Sequence, residues 1–353
     1  MKIFWTDAGQ HGKIRNQGYL VAAYNIIKQI ESHGIEIAKY SSLMDEEFVG
    51  LNIGREIRHS ELLYTDYDIV INNVLPDIYN NTGKYSIGYT YWETNRAPSQ
   101  WVPHMNKMDE IWTSSDFIKN AFIESGVNVP ITAFKLGIDE TIFRKIDPQI
   151  YGKFIFIHDG SPSTRKNTQI AVDAFLKVFG GNSNYHLIVK SIGPCTARIM
   201  DGQSIVCPLD KHPQITVIED TISDQEVANL YAQANCMIYP TSGEGWGMIP
   251  FQAIAMGIPT ICTNFSACEE YAHFSYPLDY ELTKEGMVGI FNDAGQWAMP
   301  KFDDLCDKML YIANNYDEAK KKTSIGADYI HANMKWSDVG LEYYNRLCQI
   351  LKK

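Results

Sequence analysis

The sequence has little basic charge and no long apolar segment. Its 31 Lys and Arg residues are outnumbered by 42 Asp and Glu residues, which gives a formal net charge of -11 at pH 7. This balance argues against strong nucleic-acid binding and against attachment to an anionic membrane surface, because both favour an excess of Lys and Arg. The apolar runs fall short of the roughly 20 residues of a membrane-spanning helix, so we expect no transmembrane segment.

The sequence also lacks the spacings that hold metals. Its seven cysteines include no C-x-x-C pair, and no D-x-D motif stands at a suitable strand end. We therefore expect no disulfide framework, no zinc site, no essential metal and no cofactor. The N-terminus has the pattern of a first strand rather than of a signal peptide, and together with the cysteine usage it predicts a cytoplasmic protein.

Strand-like and helix-like patterns alternate along the whole chain, which predicts an α/β fold with parallel sheets and crossover helices. The length of 353 residues suits two domains. We expect a Rossmann-like domain over residues 1–143, a second one over 152–335, and an amphipathic helix over 336–353 that packs back on the first domain. Two such domains are expected to face each other across a cleft, with ligands at the carboxyl ends of the strands.

Local signals predict several element boundaries. Ser115 is a suitable N-cap for a helix that ends at Glu124. Ser223 and Glu226 have the spacing of a capping box. The apolar stretch Met287–Phe291 is predicted to be a late strand.

The most informative segment is Tyr239–Asn264, which has the pattern strand, small-residue turn, helix, tight turn, strand. Gly243 and its neighbouring glycines remove side chains where the chain enters the helix. Backbone N–H groups there can approach an anion or a hydroxyl-rich ring. Glu244 lies in this loop, where a carboxylate can accept hydrogen bonds from sugar hydroxyls. Gln252 follows about 12 Å further along the helix, so the two side chains can contact different parts of one extended ligand.

This segment resembles the signature of the retaining family 4 glycosyltransferases, which have the GT-B fold and carry two Glu residues separated by seven positions. Glu244 matches the first Glu, which lies at the donor sugar, whereas Gln252 replaces the second, which lies at the nucleotide ribose. A Gln still forms hydrogen bonds with a diol but carries no charge, which leaves an altered or inactive enzyme open. The resemblance assigns the following residues of the motif to donor binding: Gly245, Trp246, Gly247, Met248 and Gln252.

A second segment, Asp159–Phe175, is similar to the first strand-loop-helix of the second domain in this family. There a basic pair contacts the donor diphosphate, and Arg165 and Lys166 match that pair. Ser161 stands where the family often has a further Arg, so one phosphate contact is missing or supplied elsewhere. The alternative is a solvated helix start, although cations are unfavourable against the helix dipole at that end. A bound diphosphate would compensate both charges.

The resemblance also implies more distant donor contacts. Ile222 falls beside the expected nucleobase position, and Glu270 falls on the donor side of the cleft. For Glu270, the alternative is a carboxylate that is only stabilised by the dipole at a helix N-terminus. Gly9 and Gly12 occupy the glycine loop that follows the first strand, and this loop is expected to cover the diphosphate from the opposite domain.

In the first domain, the chain resembles a branch of the same superfamily with a Tyr-Trp-Glu-Thr motif, which here begins at Tyr91. Glu93 and Arg96 follow a predicted strand end and are expected on the acceptor side. Trp92 offers an aromatic face for sugar stacking, and core packing is the alternative for this ring.

Together these features predict transfer of a hexose from a UDP- or GDP-linked sugar to an acceptor hydroxyl, with a glycan or glycolipid as the expected acceptor. The resemblance implies retention of anomeric configuration. The catalytic candidates are Glu244, Lys166 and Arg165, which would orient the donor and neutralise the departing diphosphate.

Two other functions stay open at the level of sequence. A nucleotide-sugar 2-epimerase would use carboxylate and imidazole groups as acid and base, and His158 and Asp159 are the candidates. A non-catalytic sugar-nucleotide-binding protein would account for the departures from the family pattern at Gln252 and Ser161.

Overall fold

The computed structural model describes residues 2–7, 17–40, 55–56, 67–201 and 204–352. Its strands are β1 (Ile3–Asp7), β2 (Ile37–Tyr40), β3 (Arg55–Glu56), β4 (Ile69–Asn73), β5 (Tyr85–Tyr89), β6 (Glu110–Thr113), β7 (Ile131–Ala133), β8 (Phe154–Asp159), β9 (Tyr185–Lys190), β10 (Arg198–Asp201), β11 (Ser204–Pro208), β12 (Ile215–Ile218), β13 (Cys236–Tyr239), β14 (Thr260–Thr263), β15 (Tyr276–Leu278), β16 (Tyr280–Thr283) and β17 (Trp297–Pro300). Its α-helices are α1 (Gln17–Ser32), α2 (Val102–Met105), α3 (Asp116–Glu124), α4 (Thr168–Phe179), α5 (Asp224–Tyr231), α6 (Met248–Ala255), α7 (Phe302–Asn314), α8 (Tyr316–Asn333) and α9 (Trp336–Leu351).

The chain divides into two compact units. The first comprises Met1–Gly137, Asp293–Gly295 and Met334–Lys353, and the second comprises Ile138–Asn292 and Gln296–Asn333. The first unit therefore breaks after Gly137, whereas the sequence predicted that the N-terminal domain ends at residue 143. The C-terminal helix α9 belongs to the first unit.

The first unit is built on a parallel sheet. Within the described ranges its strands lie in the order β3-β2-β1-β4-β5-β6-β7. This order reverses between β1 and β4, which is the topological switch point of an open α/β sheet. Helix α9 packs against α1. Its buried residues Val339, Tyr343, Leu347 and Ile350 recur at helical spacing and form one apolar face.

A buried ion pair also attaches α9 to the first sheet. The Glu110 side chain in β6 is 0% exposed, and its Oε2 lies 2.6 Å from an Arg346 guanidinium nitrogen. The same carboxylate accepts hydrogen bonds from the Tyr85 hydroxyl and the Trp112 indole N–H, each at 3.1 Å. Because buried charges need such partners, this cluster fixes the helix against the strand.

The second unit contains a parallel sheet with the order β12-β9-β8-β13-β14-β15, together with the antiparallel pairs β10-β11 and β16-β17 among the residues described. The strand order reverses between β8 and β13, which marks the switch point of this sheet. The rings of Phe156, Phe175 and Phe179 pack on one another beneath β8. This apolar cluster positions the two central strands whose carboxyl ends carry the site.

The structure tests the local signals individually. Ser115 caps α3 by accepting a hydrogen bond from the Ile118 N–H, and Ser223 forms the predicted capping box with Glu226. The predicted strand Met287–Phe291 is wrong, because Gly289–Phe291 form a 3-10 turn and the residues before it are loop. Its apolar side chains are largely exposed and Gly289 has a φ of 62°, which a strand does not allow. No helix in the described ranges is both long and apolar enough to cross a bilayer.

Candidate active site

The central residues of the site come from two loops at the carboxyl ends of neighbouring strands in the second unit. Strand β8 leads into the 3-10 turn Thr164–Lys166, and β13 leads into the loop that carries Glu244. Because β8 and β13 are parallel and paired, their loops emerge at the same edge of the sheet. The structure brings Arg165, Lys166 and Glu244 into direct contact there.

One oxygen of the Glu244 carboxylate is the centre of this contact. Its Oε1 lies 2.6 Å from the Lys166 ammonium and 2.9 Å from an Arg165 guanidinium nitrogen. The hydroxyls of Thr241 and Tyr239 donate to the same oxygen at 2.7 and 3.0 Å. All of these donors approach a side chain that is buried, so the carboxylate is held in one orientation.

The two cations determine the ionisation of Glu244. Burial alone would raise the pKa of this carboxyl, but Arg165, Lys166 and the hydrogen bonds from Lys166 and Thr241 together outweigh that effect. The result is a pKa of about 2. At neutral pH Glu244 is therefore an ionised hydrogen-bond acceptor and not a proton donor.

The loops that carry this contact are held in place by two residues with left-handed backbone conformations. Asn167 has a φ of 51°, and its side-chain amide donates to the Pro240 carbonyl at 2.8 Å and to the Ser242 hydroxyl at 2.9 Å. Ser266 has a φ of 57°, and its hydroxyl accepts the Glu244 N–H at 2.6 Å. Such conformations are unfavourable for residues other than glycine and concentrate at functional sites.

Gly247 allows the chain to enter α6 directly below this loop. Its φ is 82°, and a Cβ at this position would lie 2.4 Å from the Tyr271 hydroxyl oxygen. That hydroxyl donates to the carbonyls of Trp246 and Gly247, at 2.7 and 2.8 Å. The Trp246 ring is buried against Phe251 and Tyr271, so a donor contact at this position would come from its backbone, and the assignment stays a prediction. Trp246 is a core residue, because its ring fills the space behind the loop.

A Gly247→Ala substitution is expected to lower stability by about 1–3 kcal/mol, because it adds a steric clash to an unfavourable backbone conformation. Gly193→Ala is the matched control, since Gly193 also has a positive φ, of 91°, but has no atom within 4 Å of the added Cβ. Thermal unfolding of both variants measures the clash separately from the backbone effect. Equal losses for both would contradict a role of the Tyr271 contact.

The other predicted donor residues lie elsewhere in the second unit or outside the described residues. Those that are partly exposed in the second unit are Gly245, Met248, Gln252, Ile222 and Glu270. Gln252 lies in α6, and Glu270 ends the 3-10 turn that begins at Ser266. Gly9 and Gly12 lie outside the residues that the structure describes.

His158 and Asp159 are structural residues of the same sheet edge. The His158 Nδ1 lies 3.0 Å from the Ile238 carbonyl and Nε2 lies 3.0 Å from the Thr168 hydroxyl, while burial lowers the pKa of the ring to about 4. The Asp159 carboxylate accepts the Tyr231 hydroxyl at 2.7 Å, and burial raises its pKa. Both imidazole nitrogens are occupied, which argues against the acid and base roles that a 2-epimerase would need.

In the first unit, the predicted sugar-stacking role of Trp92 is wrong. The ring is 1% exposed and packs edge-on against Trp101, with 4.5 Å between the ring centroids. Its indole N–H lies 2.7 Å from both the Thr94 hydroxyl and the Arg96 carbonyl. Because the ring is buried against Trp101, Trp92 is a core residue, which was the alternative interpretation of the sequence.

The two charged residues near Trp92 are more accessible. Glu93 is partly buried. Arg96 is exposed and forms a surface ion pair with Glu124. The acceptor-side assignment of these two residues stays a prediction.

Sequence reasoning missed the hydroxyl groups that hold Glu244. Tyr239 ends β13 and Thr241 follows two residues later, so their position at a strand end was the available signal. In the described part of the chain, no group of three or more His, Cys, Asp and Glu side chains is arranged to hold a metal ion.

The chain is similar in sequence and fold to known sugar transferases. The chain is 23% identical over 329 residues to the uncharacterized glycosyltransferase MJ1178 of Methanocaldococcus jannaschii, covering 90% of this chain and 77% of that protein. It is 24% identical over 151 residues to the O-antigen chain mannosyltransferase RfbU of Salmonella typhimurium, covering 41% of this chain and 39% of that protein. The crystal structure of Anabaena Alr3699/HepE in complex with UDP and glucose matches with a TM-score of 0.70 at 12% identity, covering 99% of this chain and 100% of that one.

The similarity to this solved structure shows the fold, which is GT-B with two Rossmann-like domains. The family described as "Family 4 Glycosyltransferase in conflict systems" matches residues 120–340, which is more than half of the chain. The matched range includes both loops of the site and the whole segment Tyr239–Asn264. The chain therefore belongs to the family 4 glycosyltransferases in conflict systems, and it is a transferase enzyme.

Proposed function

We propose that this enzyme transfers a hexose from a UDP- or GDP-linked sugar to an acceptor hydroxyl, with retention of anomeric configuration and without a metal ion. The observation that carries the proposal is the buried contact of Arg165 and Lys166 with Glu244 at the switch point of the second sheet. Two comparisons support the substrate classes. HepE was crystallised with UDP and glucose, and RfbU is named for transfer of mannose to an O-antigen chain. A glycan or glycolipid acceptor fits these relatives.

In the proposed reaction, protein groups neutralise the negative charge of the departing diphosphate. Arg165 and Lys166 bind its phosphate oxygens, and the N-terminus of α4, which follows directly, adds its dipole. The bond from the anomeric carbon to the phosphate oxygen breaks while the acceptor oxygen bonds to the same face of that carbon. The acceptor proton passes to the departing phosphate oxygen, so no protein base is required.

Glu244 orients the donor sugar in this scheme. Its pKa of about 2 keeps it ionised, and a carboxylate accepts hydrogen bonds from sugar hydroxyls. Gln252 has the length to bind the ribose diol through its amide, with weaker hydrogen bonds than a carboxylate would form. We therefore expect an active enzyme with moderate affinity for the nucleotide.

A donor screen with the purified chain tests the proposal. UDP- and GDP-linked hexoses are incubated with glycan and glycolipid acceptors, and released nucleoside diphosphate is measured. We expect acceptor-dependent release that continues in excess EDTA, because Arg165 and Lys166 supply the positive charge that a metal would otherwise provide. The anomeric configuration of the product is then determined by NMR.

Three results of this screen would contradict parts of the proposal. Loss of activity in EDTA that Mg²⁺ or Mn²⁺ restores would make the reaction metal-dependent. An inverted product would exclude retention. Conversion of the donor to its 2-epimer without any acceptor would replace the transferase with an isomerase.

A further inference from the structure

A third lysine lies at the same sheet edge as Arg165 and Lys166. Lys190 is the last residue of β9, and its side chain is 2% exposed. In the sheet register it lies directly opposite Asp159, the last residue of β8. The strand end therefore places an ammonium group among buried residues beside the first loop of the donor site.

Lys190 forms no direct ion pair with the described residues. Its ammonium donates a hydrogen bond to the Ser191 carbonyl at 3.1 Å, and no carboxylate oxygen of the described residues lies within 4.0 Å of it. The adjacent Ser191 hydroxyl is buried and has no hydrogen-bond partner in the described part of the chain. Buried cations and hydroxyls in this state are costly, so such groups favour contact with a polar or anionic ligand.

The neighbouring contacts connect Lys190 to the phosphate loop. The Gly160 N–H donates to the Lys190 carbonyl at 3.0 Å, and Gly160 leads directly into the turn that carries Lys166. A Cβ on Gly160 would lie 3.2 Å from the Lys166 Cβ, so these residues pack closely. Asp159 accepts the Tyr231 hydroxyl and has no direct ion pair with Lys190, although the Lys190 charge acts to lower the pKa of this carboxyl.

The ends of β8 and β9 and the two site loops carry three cations and two carboxylates. The cations are Arg165, Lys166 and Lys190, and the carboxylates are Asp159 and Glu244. His158 adds no charge, because its pKa of about 4 keeps it neutral at pH 7. This group has one cation in excess, which an anionic ligand would neutralise, while Glu219 and Asp220 follow at the end of the neighbouring strand β12.

We infer that Lys190 is a third cation of the donor site and binds an anionic oxygen of the nucleoside diphosphate. The inference rests on the proposed function and extends it to a residue outside both recognised motifs. It also accounts for Ser161, which stands where the family often has an additional Arg, because Lys190 supplies the missing positive charge from the next strand.

The test is calorimetric titration of the Lys190→Met variant with UDP and GDP, together with NMR titration with uridine and guanosine. Loss of one charge-assisted contact is expected to weaken diphosphate binding about 10- to 100-fold. Binding of the nucleoside, which has no phosphate, is expected to be unchanged. Lys177→Met is the matched control, since Lys177 lies on helix α4 of the same unit and its side chain is 59% exposed.

A double variant, Asp159→Asn with Lys190→Met, separates ligand binding from a structural role. If Lys190 only neutralises Asp159, removing both charges restores diphosphate affinity, and the inference is wrong. If Lys190 binds the ligand, the double variant stays weak. The double variant decides the question even where Lys190→Met alone does not fold.

Two further results have distinct meanings. Wild-type affinity for diphosphate in Lys190→Met would overturn the inference and leave the proposed function intact. Absence of UDP and GDP binding to the wild-type protein would refute the proposed function first, and the role of Lys190 with it.

Discussion

Replacing Glu244 with Gln is expected to reduce glycosyl transfer about 100- to 1000-fold, the range seen when one preorganised polar contact to a transition state is removed. The substitution keeps the size of the side chain but removes the charge that Arg165 and Lys166 share. The two cations then have no carboxylate between them, and the amide oxygen accepts weaker hydrogen bonds from Thr241 and Tyr239. Steady-state kinetics with the donor found in the screen measures the loss.

The expected signature is a fall in kcat with a smaller change in donor KM, because the two cations still bind the diphosphate. Glu281→Gln is the control, since Glu281 is an exposed carboxylate on β16. Thermal unfolding of both variants shows whether the loss exceeds any change in stability. A Glu244→Ala protein with an unchanged transfer rate would refute the placement of the donor at this residue.

The sequence predicted those features that depend on short stretches of chain. The caps at Ser115 and Ser223 were confirmed because a cap is a contact between residues three positions apart. The strand-loop-helix order around Glu244 was predicted for the same reason, since glycine spacing and apolar periodicity are local. Neighbouring parallel strands then bring their carboxyl ends together, which makes the contact of Glu244 with Lys166 a consequence of the fold.

Features that depend on distant packing were not predictable. Trp92 and Met287–Phe291 have the composition of a sugar platform and of a strand, and only the surrounding structure decides against both. Lys190 ends an apolar run, and the sequence gives no sign that the position is buried beside a ligand loop. Its lack of a carboxylate partner becomes visible only when all neighbours are in place.

The largest expected effect on stability also comes from a contact that the sequence did not reveal. Glu110 and Arg346 are separated by 236 positions and form the buried ion pair between β6 and α9. Replacing Arg346 with Met is expected to lower the free energy of unfolding by about 3–5 kcal/mol, because it leaves the Glu110 carboxylate buried without a cation. Urea denaturation followed by fluorescence and circular dichroism measures this loss.

The surface pair of the same unit provides the comparison. Arg96→Met breaks the exposed ion pair with Glu124 and is expected to cost at most about 1 kcal/mol, because water and salt already screen those charges. Equal losses for Arg96→Met and Arg346→Met would show that burial does not strengthen the pair at Glu110. A double variant, Glu110→Leu with Arg346→Met, is expected to regain part of the loss, since it removes both charges from the interior. A double variant as unstable as Arg346→Met would instead locate the stabilisation in the packing of α9, because restoring charge balance would then have no effect.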